Sequence, residues 1–203
     1  MTAAELFDAI GSGYEDAFGR PPVVERAVRS LLRVLPAGAK VLDVGSGTGR
    51  PVARDLAAAG CHVTGIDVSP VMIELARAQV PGARFVRADV REWASPAASW
   101  DAVCAYFPFL QMPRADTAAV LKNIGRWLAP GGYLSLVTVP MDVEDMPVEF
   151  LGHEVRLTSF SAEGIEAKIV EAGLRVVGTH SELFEPGKPG AQPEEHLLIT
   201  ARR

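Results

Sequence analysis

Residues 41–51, VLDVGSGTGRP, place Gly45, Gly47 and Gly49 at alternate positions directly after a short apolar run. A single glycine marks a turn. Three at this spacing, between a strand-like run and a helix-like run, describe a loop whose backbone must be approached closely. Such a loop presents N–H groups at a helix N-terminus, a place for an anion. The neighbouring segments alternate. KVLDV reads as a strand entering the glycines, and Pro51 suits the first turn of a helix through VARDLAAA that Gly60 ends. HVTGID is a second strand, and Ser69 caps a helix that starts at Pro70 and runs through VMIELARAQ. RFVRADV and WDAVCAY are strands three and four, DTAAVLKNIGRWL a helix closed by APGG, and YLSLVTV strand five. Upstream, Val24, Ala27, Val28, Leu31, Leu32 and Leu35 recur at helical spacing until Pro36.

The rhythm breaks at residues 140–158, an acidic, proline-containing stretch that reads as an arm or lid. Order returns with a helix capped by Ser161 and ended by Gly173, a strand LRVVGT, a Pro/Gly-rich turn EPGKPGAQP and a last strand HLLITARR. Strands joined by such a turn are antiparallel. The expectation is one α/β domain over residues 1–203. It has a doubly wound, Rossmann-like, seven-stranded, mostly parallel sheet, a final antiparallel strand and helices on both faces. Residues 1–36 form a helical lid and 140–158 an arm over the active site. Ligands of such sheets sit at the carboxyl ends of the strands, where the glycines stand.

Composition narrows the function. The 203 residues carry a formal charge of −5, which disfavours a nucleic-acid partner. Cys61 and Cys104 are too few for a disulfide framework and read as buried free thiols. The N-terminus has no basic segment ahead of an apolar run, and no apolar stretch reaches the roughly 20 residues that span a bilayer. A cytoplasmic protein without a membrane partner is expected. The four histidines, at 62, 153, 180 and 196, show no ligand spacing, so no metal is expected.

The glycine spacing is G-x-G-x-G, not the G-x-G-x-x-G of dinucleotide sites. Asp43 stands two residues before Gly45, a poor neighbour for a pyrophosphate. It suits a ligand with an ammonium group beside a carboxylate. At this point the sequence resembles the class I S-adenosylmethionine-dependent methyltransferases. VLDVGSGTG matches their first motif, GIDVSPVMIELAR the second, ADV (residues 88–90) the third and WDAVCAYFPFLQMP the fourth. LKNIGRWLAPGGYLSLV and LTSFSAEGIEAKIVEAGLRVV match the segments that follow in small-molecule members.

The resemblance implies S-adenosylmethionine as cofactor and a role for each matched residue. Gly45, Ser46, Gly47 and Gly49 would let its amino-acid portion lie against the backbone, with Asp43 at the ammonium. Asp67, with Val68 beside it, would accept from the ribose hydroxyls. Asp89 would accept from the adenine amino group while the Val90 amide faces the ring, and Met72 would pack on adenine or ribose. A sulfonium favours aromatic neighbours. Tyr14 in the lid, with Tyr106 and Phe107 at the end of strand four, are the candidates.

Relatives often carry a histidine in a pattern like F-x-H-L-P after strand four; here FLQMP holds Gln111 at that place. Glutamine can orient an acceptor but takes no proton near neutral pH. Either the nucleophile loses its proton to solvent or the base comes from elsewhere, with His153 in the arm as the candidate, while His180 and His196 are expected farther from the site. Asp142, Glu144, Asp145 and Glu149 read either as a solvated loop or as a mouth for a cationic acceptor. The expected function is methyl transfer to a small molecule by a monomer or homodimer. The alternative from another class is a non-methylating cofactor-binding protein or cyclase on the same fold. A nicotinamide oxidoreductase is opposed by the glycine spacing. A nucleic-acid amino-methyltransferase is opposed by AYFPF in the fourth motif.

Overall fold

β1 (Lys40–Val44) is buried at four of its five residues, the mark of a strand covered on both faces. In the computed structural model, which describes residues 1–18, 21–185 and 193–203, it pairs in parallel with β2 (His62–Asp67) and with β4 (Trp100–Tyr106). β3 (Arg84–Arg87) extends the sheet beyond β2, and β5 (Leu128–Thr138) beyond β4. β6 (Val143–Phe150) and β7 (His153–Ser159) form a separate antiparallel pair. β8 (Arg175–Phe184) and β9 (Glu194–Arg202) complete the main sheet, whose order is β3-β2-β1-β4-β5-β9-β8. β9 is antiparallel to both its neighbours, so the expected doubly wound, seven-stranded arrangement is present. Most of the turn between β8 and β9 lies outside the described residues.

Among the described residues seven helices flank the strands: α1 (Ala3–Ile10), α2 (Gly13–Phe18), α3 (Pro22–Leu32), α4 (Val52–Ala58), α5 (Pro70–Gln79), α6 (Arg114–Trp127) and α7 (Ala162–Glu171). One apolar core lies under α3, α4 and α5, and a second under α6 and α7. α3 supplies Val23, Val24, Ala27, Val28 and Leu31 on one stripe, with proline in its first turn. Ser69 caps α5 by accepting from Met72 N at 3.0 Å, worth about 1 kcal/mol. Its hydroxyl also donates to Asp8 at 2.6 Å, which ties α1 to α5. α1 begins in a capping box of Thr2 and Glu5 and buries Leu6 fully. Cys61 and Cys104 are buried free thiols. Among the described residues no helix is long and apolar enough to cross a membrane.

Several boundaries differ from the sequence reading: α3 ends at Leu32, short of Leu35, and β8 runs past Thr179 to Phe184. β3 stops at Arg87, which leaves Ala88–Val90 as a loop at the strand's carboxyl end. β5 starts at Leu128, because that residue pairs with Trp100 across a register shift and the APGG segment continues the strand. Gly132 permits this: a Cβ there would lie 3.0 Å from the Asp101 carbonyl oxygen. The arm at 140–158 is a β-hairpin whose turn is formed by Leu151 (φ 52°) and Gly152 (φ 83°). Met146, Val148 and Phe150 alternate half-buried with exposed Pro147 and Glu149, and an edge strand tolerates the proline.

Candidate functional site

The glycine loop leaves β1 and folds back onto the end of β2. The Ile66 carbonyl accepts from both Gly45 N (2.9 Å) and Ser46 N (3.0 Å), and Gly49 N donates to Ser46 O at 2.9 Å. All three glycines have positive φ, from 51° to 80°. Their surroundings differ. A Cβ on Gly45 would stand 2.7 Å from Pro108 Cβ, and one on Gly49 would stand 2.9 Å from Phe85 Cζ. One on Gly47 would meet nothing within 4 Å. Two of the glycines therefore admit protein, and only Gly47 faces open space. Gly65 on β2, which the motif reading passed over, lets Phe85 and Ser46 close in under the same loop.

Two carboxylates stand at the strand ends around this loop. Asp67 Oδ2 accepts from Gly47 N and Oδ1 from Ser69 N, each at 2.9 Å. These bonds hold the loop to the end of β2, and each oxygen keeps a second lone pair. Burial raises the Asp67 pKa against the pull of those amides. Asp43 is buried with one oxygen, Oδ2, that meets no donor among the described residues. Burial, then the neighbouring Asp67, pushes its carboxyl up to about 8. Ser46 Oγ is likewise buried without a partner. Unpaired buried polar atoms are costly. Two of them beside an open glycine fit a polar ligand bearing an ammonium group and acceptor atoms.

The loop after β3 carries Asp89, which clasps the Arg91 guanidinium (2.6 Å) and accepts from Arg91 N (2.9 Å). That pair holds the Asp89 carboxyl below its usual range. Most of its acceptor capacity is thus already used. Val90 is buried against the core of α6, Met72 is buried on α5, and the Val68 carbonyl accepts from Arg87.

An aromatic wall closes the other side. Tyr106 shares a hydrogen bond with Ser135 Oγ at 3.0 Å, and burial pushes its phenol well above its usual value. Its hydroxyl is committed to the sheet. Phe107 follows at φ 59°, a strained conformation for a bulky residue, held by its N–H donating to Val137 O at 2.8 Å. Tyr14 packs edge-on against Phe7, with ring centroids 5.8 Å apart. Burial, then the charges of Asp67 and Glu194, pushes its phenol up to about 12.

The structure corrects one placement. His196 is not remote: its ring lies 4.8 Å from that of Phe107 and stacks on Phe184 at 4.6 Å. Because β9 is antiparallel, its first residues return to the edge where Asp43 and Asp67 stand. That consequence was available from the sequence. His153 lies at the hairpin turn, five residues from Thr158, whose N–H joins the hairpin to Leu110 O. Five residues of strand span about 17 Å. Gln111 follows that anchor, and its Oε1 is buried without a partner among the described residues. Two of the four hairpin acids are ion-paired, Asp142 with the Arg114 guanidinium and Asp145 with Arg156, while Glu144 accepts from the Arg114 backbone N–H. A surface hollow lined by Gly131, Gly173, Leu174, Arg175, Arg202 and Arg203 includes the start of β8 and the end of β9. It lies at the opposite edge of the sheet from this chemistry.

Comparison with known proteins agrees with this geometry. Residues 41–132 match the family model for a methyltransferase domain. Methyltransferase GfsG of Streptomyces halstedii is 31% identical over 98% of this chain and 78% of its own length. O-methyltransferase rstn1 of Aspergillus nomiae is 29% identical over 81% of this chain and 80% of its own. Other relatives are longer: the chain spans only 30% of a biotin biosynthesis bifunctional protein of Bordetella avium, at 32% identity over 68% of the chain. Among solved structures, an S-adenosylmethionine-dependent methyltransferase of Methanosarcina mazei superposes with a TM-score of 0.74 at 18% identity, covering 90% of this chain and 97% of that one. The [4+2]-cyclase SpnF superposes with 0.76 at 20% identity, covering 98% and 95%. The matched segment contains the glycine loop, Asp43, Asp67 and Asp89, and the chain belongs to the class I S-adenosylmethionine-dependent methyltransferases, enzymes whose cofactor is S-adenosylmethionine.

Proposed function

We propose that the protein methylates a small-molecule acceptor by in-line displacement at the carboxyl edge of β1 and β4. The observation that carries this reading is the pair of unpartnered buried atoms, Asp43 Oδ2 and Ser46 Oγ, around the open face of Gly47. Asp43, Ser46 and Gly47 would hold the amino-acid end of the cofactor, Asp67 with Val68 its ribose, and Val90, Met72 and Asp89 its base. The cofactor supplies an already activated methyl group. What remains for the chain is to orient an acceptor, exclude water and receive a proton. Tyr14 and Phe107 close the site, Tyr106 stiffens the end of β4, and Gln111 offers an acceptor oxygen for orienting the substrate.

A small acceptor is favoured because the segment between β5 and α7 is a short two-stranded hairpin, with Asp142 and Asp145 tied to Arg114 and Arg156. A relative named as an O-methyltransferase favours oxygen as the atom methylated. Cofactor binding without methyl transfer is the second reading, supported by Gln111 where a base is expected. Calorimetry with S-adenosylmethionine, followed by labelled-methyl transfer to phenols, alcohols, thiols and amines, separates the two. Binding with transfer to a small acceptor is expected. Tight binding with transfer to none would leave the second reading, and no heat of binding would remove both.

A further inference from the structure

His196 is 1% exposed, on the face of β9 that looks toward Phe107, and its two nitrogens differ. Nε2 lies 2.9 Å from Glu194 Oε1. An ionised carboxylate only accepts, so Nε2 carries the hydrogen and a neutral ring leaves its lone pair on Nδ1. Nδ1 is buried and meets no partner among the described residues. A buried basic nitrogen held in one tautomer, with nothing to accept from, is an unfinished hydrogen bond. The other ionisable groups nearby are accounted for. Glu182, opposite His196 on β8, binds His180 (3.0 Å) and Arg26 of α3 (3.6 Å), and Tyr14 of α2 lies toward Glu194. Phe107 joins this ring to the glycine loop, since the next residue, Pro108, packs against Gly45.

We propose that His196 is the general base of the transfer, that Glu194 is its positioning residue, and that the acceptor therefore carries a hydroxyl. The inference rests on the methyl transfer proposed above and names the substrate class of that same site. A neutral amine attacks with its own lone pair and loses its proton afterwards. A hydroxyl is a weak nucleophile until a base takes its proton. As the bond from the acceptor oxygen to the methyl carbon forms, the methyl–sulfur bond breaks with its electron pair on sulfur. The hydroxyl proton passes to His196 Nδ1. The imidazolium so formed faces the Glu194 carboxylate and later releases its proton to solvent. A residue from the last strand thereby does the work for which Gln111 is unsuited.

The test compares the wild-type protein with H196Q and E194Q on phenol, catechol, benzylamine and 4-nitrophenol, the last assayed at pH 9 as its phenolate. Transfer to phenol or catechol is expected, and H196Q should lower that kcat by about 100- to 1,000-fold. It should leave KM and the calorimetric cofactor Kd within about threefold and remove the acid limb of the pH profile. The preformed nitrophenolate needs no base, so its rate should be spared. E194Q should lower kcat on phenol by about tenfold. Long-range proton–nitrogen spectra of the wild type should show Nε2–H and a bare Nδ1 on His196, with the Nδ1 resonance moving when phenol is added. An unchanged rate in H196Q, an equal loss on nitrophenolate, or an Nδ1–H tautomer would each overturn the base. If H196Q does not fold, E194Q and the spectra decide. No transfer by the wild type would overturn the proposed function and the base with it, whereas transfer that survives H196Q would overturn the base alone.

Discussion

The proposed cofactor half of the site and the proposed acceptor half are built differently. The first is a run of neighbours, Asp43 to Gly49 and Asp67 to Ser69, locked by short backbone bonds and by glycines that admit Pro108 and Phe85. The second draws Tyr14, Phe107, Gln111, Glu194 and His196 from three distant segments, with a ring contact between Phe107 and His196. The difference teaches that short local backbone bonds fix the glycine loop, while the proposed acceptor side depends on side chains brought together over long sequence separations. It can be broken in the loop itself. Gly45→Val should cost about 3–5 kcal/mol of stability, adding a clash with Pro108 to an unfavourable positive φ. Gly47→Ala, with open space before its Cβ, should cost only about 1 kcal/mol in thermal unfolding and lose its effect in cofactor affinity instead. Equal destabilisation by both would show that the three glycines share one role.

The same division sets what was legible from residues alone. Strand–helix alternation fixed the order of elements, because each cap and each glycine or proline stop is a local signal. Ser69, Ser161, Gly60 and Gly173 all stand at helix ends in the structure. The residues proposed for the cofactor could be picked out because the ends of three strands, β1, β2 and β3, each carry a short local pattern. The hairpin was not legible, since Pro147 and the acids masked the two-residue alternation of Met146, Val148 and Phe150. Nor was the service of Gly45 and Gly49 to protein packing, because Pro108 and Phe85 lie about 60 and 35 residues away in sequence. His196 is the instructive case. Its strand was read as antiparallel, which alone returns its first residues to the site, but a lone histidine before LLIT carries no local mark.

Asp43 sharpens the comparison through pH. Its folded pKa of about 8 lies above the ordinary 3.8, so the folded protein binds the extra proton between those values. The stability this group contributes is therefore complete below about pH 4 and is lost as pH rises to about 8. Asp43→Asn removes the titration. The ligand-free variant should match the wild type near pH 4 and exceed it by about 1–3 kcal/mol at pH 9, read from denaturant unfolding. It should also bind the cofactor more weakly, since the ammonium loses its counter-charge. Wild-type binding near pH 7 should release a proton, visible as a dependence of calorimetric heat on buffer ionisation. A variant no more stable at pH 9 would mean that Asp43 is ionised in the empty site.

The smallest effect is expected at the hairpin. Asp145 pairs with Arg156 while both side chains are more than half exposed, and such pairs contribute little. The residue also stands at φ 56°, where asparagine is at least as comfortable as aspartate. Asp145→Asn should leave the thermal midpoint unchanged within about 2 °C. The more telling readout is the acceptor. If the hairpin acids only brace the arm against Arg114 and Arg156, removing one charge leaves kcat/KM equal for a phenol and for benzylamine. A selective loss on the amine would instead mean that the hairpin attracts cations, and would move the specificity of the acceptor half from His196 to the arm.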